Sequence, residues 1–101
     1  MLTVFRDDAG HLTAACDWSL VDPTGQVSPS GVTVWVEQFE VSAGENARVH
    51  LRNTIADILW RAPTAYGAYW VRRDADGGKK THWYTRARLT AYLHKEMGVM
   101  V

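Results

Sequence analysis

The chain has 101 residues, 47% of them hydrophobic, and its eleven Lys and Arg balance its eleven Asp and Glu. This length and composition predict a single domain, residues 1–101, whose apolar core needs no disulfide or metal to stabilise it. The single cysteine, Cys16, excludes an intrachain disulfide framework, and neither a signal peptide nor an apolar run of about 18 residues is present, so we expect a soluble, cytoplasmic protein.

The balanced total hides an uneven distribution of charge. Residues 1–60 carry three arginines against eight acids, whereas residues 61–101 carry eight basic residues against three acids. Two interpretations stay open: the basic half steers an anionic partner, or the two halves attract each other or face solvent.

The first two segments of the chain predict a hairpin. Leu2–Arg6 has the length of a short strand, and DDAG at residues 7–10 favours a tight turn. Apolar and polar residues then alternate over residues 11–20, with Cys16 and Trp18 on the apolar side. This alternation predicts a half-buried antiparallel strand with a buried, unreactive thiol.

Residues 32–41, VTVWVEQFEV, predict a central strand because apolar residues occur at both even and odd positions, which requires cover on both faces of the sheet. Glu37, Gln38 and Glu40 interrupt the apolar pattern. The interruption indicates either a β-bulge or cleft in mid-strand, or a strand whose second half emerges at an edge.

An amphipathic helix is predicted over residues 47–62. Ser42 and Glu45 precede it with the spacing of a capping box, and apolar residues then recur at helical intervals. The helix must end by Ala62, because Pro63 disfavours helical geometry in the residue before it.

The C-terminal third predicts a second hairpin and a second helix. Residues 66–73 and Lys79–Thr85 flank the turn sequence DADGG, the clearest hairpin signal in the chain. The last helix is expected to use Thr85 as its cap, to stop at Gly98 and to leave a short apolar tail. Its predicted buried residues are Leu89, Tyr92, Leu93 and Met97.

These segments give the order βββαββα. The order predicts an α+β fold in which two helices cover a mostly antiparallel five-stranded sheet.

The sequence offers two kinds of candidate site and no metal site. The four histidines show no metal-ligand spacing with one another or with Cys16. The helix start at residues 42–46 presents free backbone amides that can receive an anion, but Glu45 already supplies a carboxylate there, which favours capping alone.

The second hairpin and the start of the last helix interleave basic and aromatic residues, as in surfaces that bind single-stranded nucleic acid. The same pattern also arises when aromatic and charged residues simply alternate between the two faces of a strand. The candidate nucleic-acid residues are Arg72, Arg73, Lys79, Lys80, Trp83, Arg86 and Arg88.

Four short stretches resemble the GNAT-fold acyltransferases, and within them the branch that acylates lysines of RTX protoxins. They are RDD at residues 6–8, ACDW at residues 15–18, WVEQF at residues 35–39 and YWVRR at residues 69–73. The resemblance implies a GNAT-like core with a gap between two central strands that admits acyl-CoA. That branch relies on a histidine from a segment before the first matching strand, and no residue here matches it.

The resemblance also implies a site. Glu37 takes the position of an acidic residue that acts as a general base in acyl transfer to an amine. In the family's phosphate-binding pattern R/Q-x-x-G-x-G/A, Gly44 is the first glycine, with Val41 and Asn46 at the leading and closing positions. The predicted ligand-binding residues are Gln38, Phe39, Ser42, Gly44 and Asn46.

Three functions are therefore expected, in this order. The first is a small GNAT-like domain that binds an acyl-CoA or a related anionic ligand, and whose activity would be N-acyl transfer. The second is a non-enzymatic module that binds nucleic acid through the second hairpin. The third is a homodimer formed through exposed Trp and Tyr.

Overall fold

A computed structural model describes residues 1–73 and 75–97 of the chain, with the side chain of Met97 excepted. The predicted helix stop at Gly98, the tail that follows it and the burial of Met97 lie outside the described residues. The elements, in chain order, are β1 (Leu2–Arg6), β2 (Leu12–Val21), β3 (Thr33–Val41), α1 (Ala47–Arg61), β4 (Gly67–Arg73), β5 (Lys79–Thr85) and α2 (Arg86–Met97).

The fold is α+β, with a five-stranded sheet in the order β1-β2-β3-β4-β5. Neighbouring strands are antiparallel except β3 and β4, which run parallel. The sheet is therefore mixed, and the expectation of a mostly antiparallel sheet is corrected. The reason is α1, which connects β3 to β4 and returns the chain to the end of the sheet where β3 began.

Both helices lie on one face of the sheet, and the core fills the space between the two layers. Residues that alternate along β2 and β3 point into this space, and both helices contribute the opposing apolar side chains. The predicted apolar stripe of β2 is confirmed, since its central residues are buried. The most buried core residues are Cys16, Trp18, Val34, Val36, Ile58, Ala62, Ala65 and Ala68.

Two glycine-containing turns flank β2, and the first of them is the turn predicted at residues 7–10. The amide of Gly10 donates to the carbonyl of Asp7 at 2.9 Å, and Gly10 has φ of 84°, a left-handed conformation that favours glycine. The amide of Gly25 donates to the carbonyl of Asp22 in the same way, also at 2.9 Å.

The start of α1 differs from the predicted capping box. Asn46 is the N-cap, and its side chain accepts a hydrogen bond from the amide of Val49 at 3.2 Å. The hydroxyl of Ser42 instead donates to the carbonyl of Leu12 at 2.8 Å. Ser42 continues the pairing of β3 with β2, so it is too far from the first helical turn to cap it.

The two helix termini near the second hairpin agree with the prediction. α1 ends at Arg61, and the amide of Ala62 closes its last turn on the carbonyl of Ile58 at 2.8 Å. At the start of α2, the hydroxyl of Thr85 accepts from the amide of Arg88 at 3.1 Å. No helix among the described residues is both long and apolar enough to cross a lipid bilayer.

Candidate ligand cleft

A gap opens between β3 and β4 partway along the sheet. The parallel pairing begins at Thr33 and ends where Val36 lies opposite Trp70. At the same level the β2–β3 register shifts and leaves Glu37 as an extra residue on β3. Of the two interpretations left open, the β-bulge is present; the second half of β3 also emerges on the β4 side, because beyond the bulge the two parallel strands are no longer paired with each other.

The bulge also changes which face each residue of β3 occupies. Val36 points to the core, Glu37 and Gln38 both point to the opposite face, and Phe39 points back toward the helices. The apolar residues at odd and even positions thus come to lie largely on one face. The sequence pattern predicted cover on both faces of β3, and the structure does not show it.

A cavity of about 580 Å³ lies on the helix side of this gap. Its apolar walls come from four elements: Phe39 on β3, Leu51 on α1, Trp70 on β4 and Tyr92 on α2. The rings of Phe39 and Trp70 meet edge to face, with 6.2 Å between centroids. We call this cavity the cleft.

One arginine at the cleft is already neutralised. The guanidinium of Arg48 forms two hydrogen bonds with the carboxylate of Glu96 on α2, at 2.6 and 2.7 Å. These bonds hold the pKa of Glu96 below its usual value and raise the pKa of Arg48. The pair ties the first turn of α1 to the last turns of α2 and leaves little net charge at that edge of the cleft.

Two other arginines bring positive charge to the cleft, and both contact Tyr84. Arg72 donates to the hydroxyl of Tyr84 at 3.2 Å, and the guanidinium of Arg88 lies 5.2 Å from the centre of its ring. Among residues 1–73 and 75–97, neither arginine forms an ion pair. The cleft therefore combines an apolar floor with positive charge available to an anionic ligand.

The N-terminus of α1 reaches the same cleft. Ala47 and Arg48 line it, and the first turn of the helix contains no acidic residue. Glu45 precedes the cap residue Asn46, and its carboxylate lies 2.9 Å from the Nε2 atom of His50. The expectation that Glu45 occupies the first turn and takes the place of an anion is thus corrected, and the positive end of the helix dipole faces the cleft.

The predicted catalytic and ligand residues on β3 divide between the two sides of the sheet. Glu37 is exposed and accepts a hydrogen bond from the indole nitrogen of Trp35 at 2.6 Å, on the face opposite the cleft. Gln38 donates to Glu40 on that same opposite face. Phe39 lines the cleft.

The predicted ligand residues after β3 stand just outside the cleft. Ser42 is held by β2, and Asn46 uses its side chain to cap α1. Gly44 has φ of 84° and occupies an open turn. This turn leads into the helix start that borders the cleft.

The candidate nucleic-acid residues do not form one surface. Arg72 and Lys80 pair across the β4–β5 hairpin on the helix side of the sheet, where Arg88 also lies. Arg73 and Lys79 pair on the opposite face, which they share with Trp83. The hairpin thus alternates its basic and aromatic residues between faces.

Arg86, the remaining member of that candidate set, has a structural role. Its guanidinium donates to the carbonyl oxygens of Leu59, Ala62 and Ala65, at 3.1, 2.8 and 3.2 Å. These carbonyls belong to the last turn of α1 and the loop after it, where no intrahelical donor is available. The side chain of Arg86 therefore closes the end of α1 and joins it to the start of α2.

The residues that sequence reasoning missed are those contributed to the cleft by α1, β4, β5 and α2. Trp70 and Arg72 are two apart on β4, and Tyr84 is on the adjacent strand, so period-two alternation places all three on one face. Among the described residues, no group of three His, Cys, Asp or Glu side chains has the arrangement of a metal site.

Cys16 is fully buried, and burial raises the pKa of its thiol to about 12. It is 0% exposed and lies in the core beneath α1, so the expected unreactive thiol has the environment that such a role requires.

Comparison of the chain with protein-family models, with curated proteins and with solved structures gives no match.

Proposed function

We propose that this protein binds an anionic acyl thioester of the acyl-CoA class in the cleft between β3 and β4. The observation that carries the proposal is the end of the parallel ladder at Val36 and Trp70, beside an apolar cavity with two arginines that form no ion pair within residues 1–73 and 75–97. In open sheets, ligands bind in the crevice beyond the carboxyl ends of parallel strands, where the chain connections diverge.

The apolar walls suit the acyl and pantetheine parts of such a ligand. A cavity of about 580 Å³ falls within the range of small-molecule sites. Phe39, Leu51, Trp70 and Tyr92 line it with aliphatic and aromatic surface. Each methylene group that an acyl chain buries there contributes about 0.8 kcal/mol, so affinity should rise with chain length until the cavity is full.

The charged part of the cleft suits the phosphates. Arg72 and Arg88 converge on Tyr84 and have guanidinium groups free of carboxylates within the described residues. Guanidinium groups bind phosphate through paired, charge-assisted hydrogen bonds. The start of α1 adds a favourable helix dipole, with Ala47 at the cleft wall.

The resemblance to GNAT-fold acyltransferases implies two features, a gap between two central strands and a helix start at the phosphates, and here the bulge marks where such a gap begins. The divergence after Val36, the bulge at Glu37 and the position of the α1 N-terminus support the proposal in this sense. The phosphate grip would differ from the family pattern, because Asn46 caps α1 with its own side chain and Arg72 and Arg88 lie on other elements.

Acyl transfer to an amine is the catalytic extension of this proposal; the resemblance implies Glu37 as base, although its carboxylate lies on the face opposite the cleft. Binding does not depend on Glu37, whose carboxylate is bonded to Trp35 on the far side of the sheet. Release of free CoA thiol in the presence of amine acceptors measures this extension. A rate that survives Glu37→Gln would remove Glu37 from the mechanism while leaving the binding proposal intact.

The binding test is isothermal titration calorimetry of the full chain with CoA, acetyl-CoA and longer acyl-CoAs. We expect binding that tightens with acyl length, and a loss of about tenfold in affinity for Arg72→Ala and for Arg88→Ala. Arg73→Ala is the matched control, because Arg73 is adjacent in sequence but lies on the opposite face of the sheet. It should leave the affinity unchanged.

Two outcomes contradict the proposal. One is the absence of both heat and a rise in melting temperature at millimolar acyl-CoA. The other is an equal loss of affinity for Arg73→Ala and Arg72→Ala, which would place the phosphates outside the cleft. Free fatty acid and CoA, titrated separately, show which half of the ligand supplies the affinity.

A further inference from the structure

The sheet face opposite the helices, which we call the open face, carries an aromatic cluster across three strands. Trp35 on β3 lies 5.9 Å from Tyr69 on β4, and Tyr69 lies 4.7 Å from Trp83 on β5, between ring centroids. Tyr69 is 37% and Trp83 40% exposed. Trp83 rests on Gly67, where a Cβ atom would come within 2.8 Å of the indole. The cluster is thus held in place while it remains exposed.

Apolar surface continues to the other edge of the open face. Thr3 and Phe5 on β1 point toward α1, so the residues between and before them point away from it. These are Leu2, which is 58% exposed, and Val4, which is 41% exposed. Exposed apolar residues at both edges of a sheet face mark it as a surface suited to a protein partner.

The charges of the open face are separated by strand. Exposed carboxylates stand on β2 and β3, at Asp17, Glu37 and Glu40. Exposed cations stand on β4 and β5, where Arg73 and Lys79 are directly opposite each other. The carboxylates thus lie on one side of the boundary between β3 and β4 and the cations on the other, so the face has an acidic side and a basic side.

We propose that the open face is the interface of a homodimer related by a two-fold axis that runs between β3 and β4, parallel to both. Rotation about such an axis exchanges left and right, so β3 of one copy lies over β4 of the other, and β2 lies over β5. Heights along the strands are preserved, which brings Arg73 near Glu40 and Lys79 near Asp17 of the second copy. A two-fold axis requires a contact surface that is complementary to itself. A face with an acidic side and a basic side meets this requirement.

The size of the face is sufficient for such a contact. The four overlapping strands lie about 4.8 Å apart, each with about eight residues rising 3.3 Å, and cover roughly 500 Å² per copy. Two copies would bury about 1,000 Å² in total, the size at which specific interfaces begin. The cleft and both helices stay free on the outer sides of this dimer.

The same charges disfavour single-stranded nucleic acid as the occupant. Carboxylates at Asp17, Glu37 and Glu40 share the face with the rings on which bases would stack, and they repel phosphates. The indole N–H of Trp35 is already bonded to Glu37. A second copy meets both signs of charge, whereas a nucleic acid meets only one favourably.

The experiment uses two charge-reversal variants of the full chain, followed by sedimentation velocity over a concentration series. One variant carries Arg73→Glu and Lys79→Glu, and the other carries Asp17→Lys and Glu40→Lys. The native chain should dimerise, and each variant alone should lose about a hundredfold or more in dimer affinity through like-charge contact. An equimolar mixture of the two should restore the dimer, because opposite faces then meet.

A control variant, Lys95→Glu, reverses an exposed charge on α2 and should leave dimerisation unchanged. Circular dichroism melting shows whether each variant is folded, and the mixture provides a gain of association that loss of folding cannot produce. A native chain that stays monomeric overturns the proposal. A dimer that both variants retain, or a mixture of folded variants that fails to associate, also overturns it.

Nucleic acid binding is measured beside the dimer by fluorescence anisotropy of a labelled oligouridine. A monomer whose oligonucleotide affinity falls for Arg73→Glu with Lys79→Glu and rises for Asp17→Lys with Glu40→Lys overturns the dimer and assigns the face to nucleic acid. Neither result bears on the cleft, since the two arginines expected to bind acyl-CoA, Arg72 and Arg88, lie on the helix side of the sheet.

Discussion

Val36 and Trp70 are the last residues that β3 and β4 pair, and immediately beyond them the Trp70 ring packs against Phe39 across the gap. The backbone ladder is replaced there by an aromatic contact, with 6.2 Å between ring centroids. The strands separate there and expose side chains to the cleft, while the contact between the two rings closes the gap in the sheet. Phe39 and Trp70 therefore stabilise the fold and also form the wall against which an acyl chain would pack.

Replacement of Trp70 should destabilise the protein and remove part of the cleft wall. For Trp70→Ala we expect a loss of about 3 kcal/mol in the free energy of unfolding, because a large half-buried ring leaves a cavity. Urea denaturation measures it. Trp60 is 83% exposed, so Trp60→Ala should change stability by less than about 0.5 kcal/mol. Equal losses for the two variants would contradict the packing described.

Thr3 joins β1 to the core through its hydroxyl group. That group donates to Asp57 at 2.6 Å and accepts from the indole nitrogen of Trp18 at 2.9 Å, and Thr3 is 4% exposed. Thr3→Val keeps the shape but leaves the buried indole nitrogen of Trp18 without its partner and removes a hydrogen bond to Asp57, so we expect a loss of about 2 kcal/mol. Thr81→Val, at an exposed strand position, is the control and should be near neutral. Chemical denaturation of both variants measures these two changes in the free energy of unfolding.

Arg86 should stabilise the fold through its hydrogen bonds and not through its positive charge alone. Its three hydrogen bonds to the carbonyls after α1 predict that Arg86→Leu lowers the free energy of unfolding by about 2 kcal/mol. Lysine cannot reproduce the planar fork, so Arg86→Lys should recover only part of this loss. Full recovery with lysine would show that the positive charge alone is sufficient.

The thiol of Cys16 should be unreactive in the folded protein. Its pKa of about 12, raised by burial, keeps it protonated at pH 8, and the side chain is inaccessible. A thiol reagent such as Ellman's reagent should label Cys16 only when the chain is unfolded in urea. Rapid stoichiometric labelling of the native protein would be inconsistent with this core position.

The Arg48–Glu96 pair should make stability depend on pH in the acidic range. Because Arg48 lowers the pKa of Glu96 in the folded state, the pair favours folding above the usual glutamate pKa of 4.5. Its contribution should disappear as the pH falls through the lowered pKa of Glu96. The melting temperatures of the native chain and of Glu96→Gln should therefore differ at pH 7 and converge in acid. A constant difference would mean that packing, and not charge, accounts for the effect.

Local patterns were sufficient to predict the elements. Each predicted strand and helix that lies within the described residues agrees with the structure to within about one residue at its ends, because hydrophobic period and turn glycines act over a few residues. Pro63 and Thr85 marked helix boundaries for the same reason. The parallel direction of β4 was not predicted, although a helix between two neighbouring strands favours it.

The cleft depended on contacts between distant parts of the chain. Phe39, Leu51, Trp70 and Tyr92 are separated by at least a dozen residues each, and no local pattern states that they meet. The cap of α1 was also missed, because Ser42 and Asn46 are both good cap residues and only the extent of β3 chooses between them.

The sequence by itself determined the order of elements, the buried stripe around Cys16 and Trp18, and the polar interruption at Glu37, for which a bulge was one of two interpretations. The tertiary structure alone decided on which face of the sheet each residue after that irregularity lies. Side chains alternate with a period of two, so one extra residue in a bulge exchanges the faces for everything beyond it. That shift directs Phe39 into the cleft and Gln38 away from it, because pairing with β2 positions the bulge.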